Sequence, residues 1–138
     1  MSTRLKEKEE KILQILSCLA EESAKGIPIV VEGKKDIEAL RNMGIKGKML
    51  SAKTGGKTLL DVISEIEKCR TREVILMLDF DRRGEEWTKR LTQILEKTKI
   101  KVNTEYRHAL LNLIGKDIKD VESLTTYMET LKSKICNS

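Results

Sequence analysis

The sequence predicts a three-layer α/β fold, in which about four mostly parallel strands lie between layers of helices. Two observations support this prediction: short apolar runs alternate with segments of helical periodicity, and the run at residues 74–78 contains no polar residue. A strand that is apolar on both faces needs cover on both faces, which helices provide in a parallel sheet. At 138 residues, the chain has the usual size of one domain.

The first half of the chain predicts helix, strand, helix and strand in that order. Apolar residues at helical spacing predict an amphipathic N-terminal helix that ends near Gly26, and these are Leu5, Ile12, Leu16 and Leu19. The β-branched run at residues 27–31 predicts the first strand. A short helix over residues 36–43 and a second strand over residues 46–52 are expected to follow.

The second half continues this alternation and ends in helices. One helix face is marked by Leu59, Val62, Ile63 and Ile66, and it precedes a strand predicted at residues 73–78. The next helix is marked by Trp87, Leu91, Ile94 and Leu95, and residues 100–102 predict a fourth strand. A final helix is marked by Val121, Leu124, Met128, Leu131 and Ile135. We therefore expect an N-terminal helix (1–26), a central α/β domain (27–105) and a helical extension packed on it (106–138).

Composition restricts the class of protein. Lys and Arg number 27 against 22 Asp and Glu, and the net charge of +5 suits a polyanionic partner as well as it suits a solvated surface. The three cysteines are widely spaced and form no CxxC pair, which favours a reducing cytoplasm over a disulfide framework or a zinc site. No apolar run approaches the ~18 residues of a membrane span, so no contact with a membrane is predicted.

Acidic residues follow the two strongest apolar runs. Glu32 ends the first run, and Asp79 and Asp81 follow the later one. Ligands of an open parallel sheet bind beyond the carboxyl ends of its strands, so these acids are expected to face a common site. Clustered carboxylates repel one another, and Mg²⁺ is the hard cation that relieves this repulsion while keeping waters or phosphate oxygens. The alternative is that the acids cap the following helix or are solvated in a loop.

The ordered pair of motifs resembles the Toprim domain. Glu32-Gly33 after one strand and Asp79-x-Asp81-x-x-Gly84 after another are similar to the motifs of type IA and type II topoisomerases, bacterial-type primases, OLD-family nucleases and a ribosomal-RNA maturation ribonuclease. The resemblance covers roughly residues 27–105, and the whole chain resembles small stand-alone archaeal Toprim proteins. It implies a Rossmann-like sheet, a Mg²⁺ site and a general acid or base role for Glu32.

Two positions refine this resemblance. Asp36 lies four residues after Glu32, as in the maturation ribonuclease and primase branches, and is expected to be an auxiliary acid. Arg83 stands where type IA topoisomerases have a third acid, which argues against a simple topoisomerase site. The predicted catalytic residues are thus Glu32, Asp79 and Asp81, and the predicted Mg²⁺ ligands are these three with Asp36.

Basic residues near the acids are candidates for contact with nucleic-acid phosphates. Lys34, Lys35 and Arg82 flank the acids, although each is equally typical of a solvated side chain. Residues 51–58 read SAKTGGKT, one substitution short of the phosphate loop GxxxxGK[ST]. Three interpretations stay open: a Gly-rich turn that caps a helix beginning near Thr58, a loop that contacts phosphate through Lys53 and Lys57, or an ATP site.

These observations predict a Mg²⁺-dependent protein acting on RNA or DNA, with phosphodiester cleavage or RNA processing as its function. The alternative is a non-catalytic module that binds nucleic acid or assembles on a larger machine, and a phosphate-loop nucleotide hydrolase is the third possibility. The terminal helices are candidate surfaces for protein partners. Tyr106 and Tyr127 are expected to be packed, whereas Arg107 and His108 are placed where they could approach substrate.

Overall fold

A computed structural model describes residues 2–137, and within them four parallel strands form one sheet. The strands are β1 (Ile29–Val31), β2 (Met49–Ser51), β3 (Glu73–Leu76) and β4 (Lys101–Asn103), in the order β2-β1-β3-β4. Val30 lies beside Leu50 on one side and Leu76 on the other, which places β1 and β3 at the centre. The predicted α/β fold with a parallel sheet is confirmed.

Six α-helices are found within the described range. They are α1 (Ser2–Ala24), α2 (Lys34–Asn42), α3 (Leu59–Lys68), α4 (Arg82–Glu96), α5 (Glu105–Ile114) and α6 (Leu124–Cys136). The predicted strand at residues 27–31 is shorter than expected and begins at Ile29. Pro28, which has no N–H to donate, adds to the sheet only its carbonyl, which accepts from the Ile75 N–H. The predicted helix at residues 36–43 begins two residues earlier, at Lys34.

Alternate residues of the central strands face two separate cores. Ile29 and Ile75 point into a core covered by α1, α2, α5 and α6, whereas Val30 and Leu76 point into one covered by α3 and α4. All four side chains are fully buried, as expected for central strands of a parallel sheet. The sheet is therefore the middle one of three layers, and its carboxyl edge stays open between the helix layers.

The terminal helices pack on each other and on the sheet. Helix α1 contacts α5 and α6, and its buried residues Ile12 and Leu19 share a core with Leu110, Leu124 and Leu131. Helix α5 crosses the boundary predicted at residues 105 and 106, so the division into segments stays a prediction. Met1 and Ser138, the outer ends of the predicted segments, lie outside the described residues.

Two further expectations concern membranes and thiols. Among residues 2–137, no helix has both the length and the apolar character needed to span a bilayer. Cys18, Cys69 and Cys136 are free thiols, with Cys18 and Cys136 exposed. The absence of a disulfide framework from the described chain agrees with the cysteine spacing.

Candidate metal centre

The acids predicted at the strand ends meet at the carboxyl edge of the sheet. Because β1 and β3 are adjacent and parallel, Glu32 and Asp79 leave the sheet side by side. Glu32 is only 8% exposed, and Asp79 is half-buried. Both line an open cavity of about 330 Å³, whose lining is Glu32, Gly33, Asp36, Lys53, Thr54, Asp79, Asp120 and Glu122.

Asp79 is the most perturbed carboxyl group of this cavity. Burial, and after it the neighbouring Glu32 carboxylate, raises the pKa of Asp79 from 3.8 to about 9. Its buried Oδ1 atom accepts no hydrogen bond from any residue of the described chain. A buried carboxylate without a donor is costly, and either a proton or a cation relieves that cost. Asp79 therefore has an oxygen atom available to a ligand.

Glu32, unlike Asp79, lies next to a lysine. Lys53 Nζ lies 3.0 Å from Glu32 Oε1, which makes an ion pair. The ammonium is poorly aligned with this buried oxygen, which accepts no hydrogen bond within residues 2–137. The same Nζ atom lies 5.1 Å from the ring centroid of Trp87, within range of a cation–π interaction.

Asp81 has a structural role in addition to its predicted one. It is exposed, and its Oδ1 atom accepts a hydrogen bond from the Gly84 N–H at 2.8 Å, which makes it the N-cap of α4. Capping of the following helix was one of the two interpretations left open for this acid, and it is observed. Its assignment as a catalytic residue stays a prediction.

Asp36 is likewise occupied by main-chain donors. Its Oδ2 atom accepts from the Gly33 N–H at 2.9 Å, and its Oδ1 atom accepts from the Glu122 N–H at 2.8 Å. Burial raises the pKa of Asp36, although both N–H groups act to lower it. The carboxylate thus joins the start of α2 to the turn before α6. Its role as an auxiliary metal ligand stays a prediction.

The carboxylates of the cavity fit Mg²⁺ as a pair and not as a closed cage. Within residues 2–137, no three His, Cys, Asp or Glu side chains converge closely enough to hold a metal ion by themselves. Mg²⁺ does not require such a cage, because it commonly takes one or two carboxylates and completes its octahedron with waters or phosphate oxygens. The buried, unsatisfied oxygens of Glu32 and Asp79 supply that donor set. The site fits the ion through this pair.

A buried arginine holds the loop that carries Asp79. Arg107, on α5, is only 4% exposed, and it donates to the Leu78 carbonyl at 3.1 Å and to the Asp79 carbonyl at 2.6 Å. Its Nη1 atom donates to Glu85 Oε1 at 2.8 Å, and this contact is the main cause of the lowered pKa of Glu85. The expectation that Arg107 approaches substrate is wrong, because its donors are used by carbonyl oxygens that the sheet leaves unpaired after β3.

The sequence contained a signal for this arginine. Arg107 lies three residues before Leu110 and seven before Ile114, both of which are buried, so helical spacing places it on the buried face of α5. Such a buried charge requires several partners. His108, one position along, is exposed and lies 3.2 Å from Asn112.

Gly84 allows the start of α4 to approach the same loop. A Cβ atom at this position would lie 2.0 Å from the Asp79 carbonyl oxygen and 2.7 Å from its carbonyl carbon. The close approach brings the Gly84 N–H to the Asp81 cap. On the other side of the loop, the Phe80 N–H donates to the Lys119 carbonyl at 2.7 Å. The loop that carries Asp79 is thus bonded to Arg107 and Lys119 and closely approached by Gly84.

The basic residues predicted to contact phosphate are not equivalent. Lys34, Lys35 and Arg82 are exposed, and Arg82 makes only a long contact of 3.7 Å with Glu86. Lys53 lies inside the acidic cavity. Lys57 instead donates to the Ser51 carbonyl at 2.9 Å and pairs with Glu65 at 2.8 Å. Binding of nucleic acid by these residues stays a prediction.

Residues 51–58 form the Gly-rich turn that was one of three interpretations. Gly55 and Gly56 have φ angles of 72° and 71°, in the left-handed region that favours glycine. Thr58 is the N-cap of α3 and exchanges hydrogen bonds with Asp61. A phosphate loop would use Lys57 and Thr58. Both are engaged within the protein, because Lys57 pairs with Glu65 and Thr58 caps α3.

Comparison with known proteins agrees with this geometry. The family model for the Toprim domain matches residues 27–113, which is more than half of the chain. A UPF0292 protein of Methanocaldococcus jannaschii is 39% identical over 120 residues, which cover 86% of this chain and 91% of that protein. This chain is a Toprim-domain member of the UPF0292 family. The match spans β1 to α5, so it includes both acidic strand ends and Arg107.

Other UPF0292 proteins and one solved structure extend the comparison. A UPF0292 protein of Methanosarcina acetivorans is 38% identical over 125 residues, covering 91% of this chain and 85% of that protein. A solved structure of a putative protein from Aquifex aeolicus superposes with a TM-score of 0.66 at 26% identity, covering 80% of this chain and 94% of the other. The Toprim assignment indicates a nucleic-acid-related function with metal binding, and the matched UPF0292 proteins named here are archaeal.

Proposed function

We propose that this UPF0292 Toprim protein binds Mg²⁺ through Glu32 and Asp79 and cleaves or processes phosphodiester bonds of RNA or DNA in the cytoplasm. The observation that carries the proposal is the Glu32–Asp79 carboxylate pair, in which Asp79 Oδ1 is buried without a hydrogen-bond donor among residues 2–137 and the pKa of Asp79 is raised to about 9. Two such acids in one cavity are a functional arrangement more often than a stabilising one.

The role of each acid follows from its surroundings. Asp79 is held at its main chain by Arg107 and closely approached by Gly84, so its carboxylate is pre-positioned to bind the cation. Besides its place beside the cation, Glu32 is the candidate for the general acid or base, because it is buried next to Asp79 in the same cavity. When bound, Mg²⁺ neutralises phosphate charge and lowers the pKa of a coordinated water.

Asp81 and Asp36 have secondary roles in this proposal. Asp81 is already the N-cap of α4, so it acts on the cation from the edge of the site. Asp36 keeps both oxygens on main-chain N–H groups and stabilises the loop after Glu32. The exposed cations Lys34, Lys35 and Arg82 contact the sugar-phosphate backbone, and this binding is electrostatic and weakens with salt.

A binding role without catalysis is the second candidate. The observation that favours it is Arg83, an exposed cation at the position where related topoisomerases have a third acid. A site with fewer carboxylates still docks a phosphate backbone through its metal ion and its lysines. Protein partners that bind the terminal helices would suit this role. Helices α1 and α6 lie on the same side of the sheet as α2 and α5.

Cleavage of labelled nucleic acid separates the two candidates. Structured RNA and single-stranded DNA are incubated with the wild type, Asp79→Asn and Glu38→Gln, an exposed acid on α2, each with Mg²⁺, Mn²⁺ or EDTA. The proposal expects metal-dependent cleavage by the wild type and Glu38→Gln, and loss of at least about 100-fold in Asp79→Asn. Binding without cleavage under every metal would overturn catalysis and leave the binding role.

A further inference from the structure

Lys53 is the cation nearest to the acid pair. Among residues 2–137, it is the one basic side chain that lines the acidic cavity, where it lies with Glu32, Asp36, Asp79, Asp120 and Glu122. Its ammonium is 3.0 Å from Glu32 Oε1. A divalent cation that takes Glu32 as a ligand would occupy the space next to the same oxygen. The two cations therefore compete for one position.

The main chain of Lys53 is held by the sheet, whereas its side chain is partly exposed. The Lys53 N–H donates to the Glu32 carbonyl at 3.0 Å, directly after the Ala52 N–H donates to the Val31 carbonyl at 2.8 Å. These bonds continue the pairing of β1 with β2 by two residues. The side chain is 26% exposed at the mouth of the cavity, so it has room to leave Glu32 without any change in the sheet.

Trp87 contacts the same ammonium while it is paired with Glu32. Its ring centroid lies 5.1 Å from Lys53 Nζ, and it is half-buried on the first turns of α4. An indole face attracts an ammonium without consuming its hydrogen-bond donors. A lysine held there keeps its donors for a phosphate oxygen. Trp87 is also the one tryptophan of the chain, which makes it a specific optical probe.

We propose that Lys53 is the built-in counter-ion of Glu32, that a divalent cation displaces it, and that the displaced ammonium binds a substrate phosphate beside Trp87. The consequence is an order of binding, in which the metal enters first and uncovers a phosphate-binding lysine. The inference rests on the proposed metal site and adds to it a residue that selects phosphate only when the metal is present.

Metal titration followed at Trp87 tests the displacement. Wild type, Lys53→Gln and Lys46→Gln, an exposed lysine before β2, are titrated with Mg²⁺ while indole emission and heat are recorded. Wild type and Lys46→Gln change their emission on binding. Lys53→Gln binds Mg²⁺ about 3- to 10-fold more tightly, since its competitor is gone, and its emission stays constant. Weaker Mg²⁺ binding by Lys53→Gln would overturn the proposal. So would an emission change in Lys53→Gln as large as that of the wild type.

Affinity for single-stranded DNA tests the release of the ammonium. In EDTA, wild type and Lys53→Gln bind a labelled oligonucleotide equally, because Lys53 stays on Glu32. With saturating Mg²⁺, wild type binds about 3- to 10-fold more tightly than the variant. A loss of equal size in EDTA and in Mg²⁺ would contradict the order of binding, since it would make Lys53 a permanent phosphate contact.

A metal-free measurement separates this inference from the proposed function. In EDTA at pH 8, Lys53→Gln lowers the melting temperature of the wild type, whereas its effect is smaller in a Glu32→Gln background, where the Glu32 charge is absent and the other acids of the cavity remain. If Mg²⁺ fails to bind the wild type, the proposed metal site is wrong and the displacement falls with it. If Mg²⁺ binds but the Lys53→Gln substitution changes neither the indole emission response nor the DNA affinity, only the role of Lys53 is wrong.

Discussion

The guanidinium of Arg107 donates a 2.6 Å hydrogen bond to the main-chain carbonyl of Asp79. The pair joins the helix that follows the last strand to the loop that follows the central strand β3, 28 residues earlier. Because the same side chain also holds Glu85 at the start of α4, three elements meet at one buried cation. The position of the proposed metal ligand is thus set by a residue that does not itself reach the cavity.

Replacement of Arg107 should destabilise the whole fold. Arg107→Ala leaves the Leu78 and Asp79 carbonyls without donors, and we expect the free energy of unfolding to fall by about 3 kcal/mol. Arg107→Lys keeps the charge but loses the planar fork, so it should recover only a part. Urea unfolding measures both. Arg90→Ala, an exposed arginine on α4, is the control and should stay within about 0.5 kcal/mol of wild type. An Arg107→Ala protein as stable as this control would refute the role.

A methyl group at Gly84 should push the Asp79 loop away. The added Cβ would lie 2.0 Å from the Asp79 carbonyl oxygen, and rigid main chain has little room to yield, so Gly84→Ala should lose at least about 2 kcal/mol. Gly55→Ala is the matched control, because Gly55 has open space but a φ angle of 72°, which costs about 1 kcal/mol. Thermal unfolding compares the two. Equal losses would mean that the close approach to Asp79 is unimportant.

Without metal, stability should decline as pH rises. Folding raises the pKa of Asp79 from 3.8 to about 9, so the folded state keeps a proton that the unfolded state releases between these values. The free energy of unfolding therefore falls across that window, and the penalty is absent below pH 3.8. In EDTA at pH 8, Asp79→Asn should be more stable than wild type by about 1–2 kcal/mol after allowance for solvent screening.

The gain of Asp79→Asn should be much smaller at pH 4, where the wild-type carboxyl is protonated in the folded state and about half protonated in the unfolded state. Urea unfolding at both pH values measures this, and Glu38→Gln, an exposed acid on α2, should show no such difference. A wild type that gains stability from pH 4 to pH 8 relative to Asp79→Asn would contradict the raised pKa.

Lys57 should affect stability and not nucleotide chemistry. Its ammonium bonds to the Ser51 carbonyl and to Glu65, so Lys57→Ala should lose about 1 kcal/mol. Lys68→Ala, at the exposed end of α3, should lose less. Phosphate release from ATP should stay at the level of the blank for wild type and both variants. ATP hydrolysis that disappears in Lys57→Ala would instead restore the phosphate-loop interpretation.

The apolar runs predicted the sheet and the acid pair, because strands buried on both faces leave polar residues only at their ends. Glu32 and Asp79 follow from that rule together with the parallel order of β1 and β3. The local pattern also offered the turn at Gly55 and Gly56 and the cap at Thr58 as one of three interpretations, and the structure has this one. These features depend on near neighbours in the chain, which a sequence displays directly.

The contacts that join distant segments were less accessible. Arg107 to Asp79, Asp36 to Glu122 and Lys53 to Trp87 each link different elements, and their pairing depends on how the helices pack. Asp36 had been expected mainly as a metal ligand, yet its two oxygens are used by main-chain N–H groups of two segments. Periodicity states which face of a helix is buried but not which group it meets there.

Isothermal titration of Mg²⁺ tests the central claim, that Glu32 and Asp79 together hold the ion. Wild type and Glu38→Gln should bind Mg²⁺ at a single site with equal affinity, and the Glu32→Gln/Asp79→Asn double variant, which keeps the shape of the cavity without the charge of this pair, should show no binding above dilution heat. Titrations of the double variant that are indistinguishable from wild type would place the metal elsewhere and contradict the account.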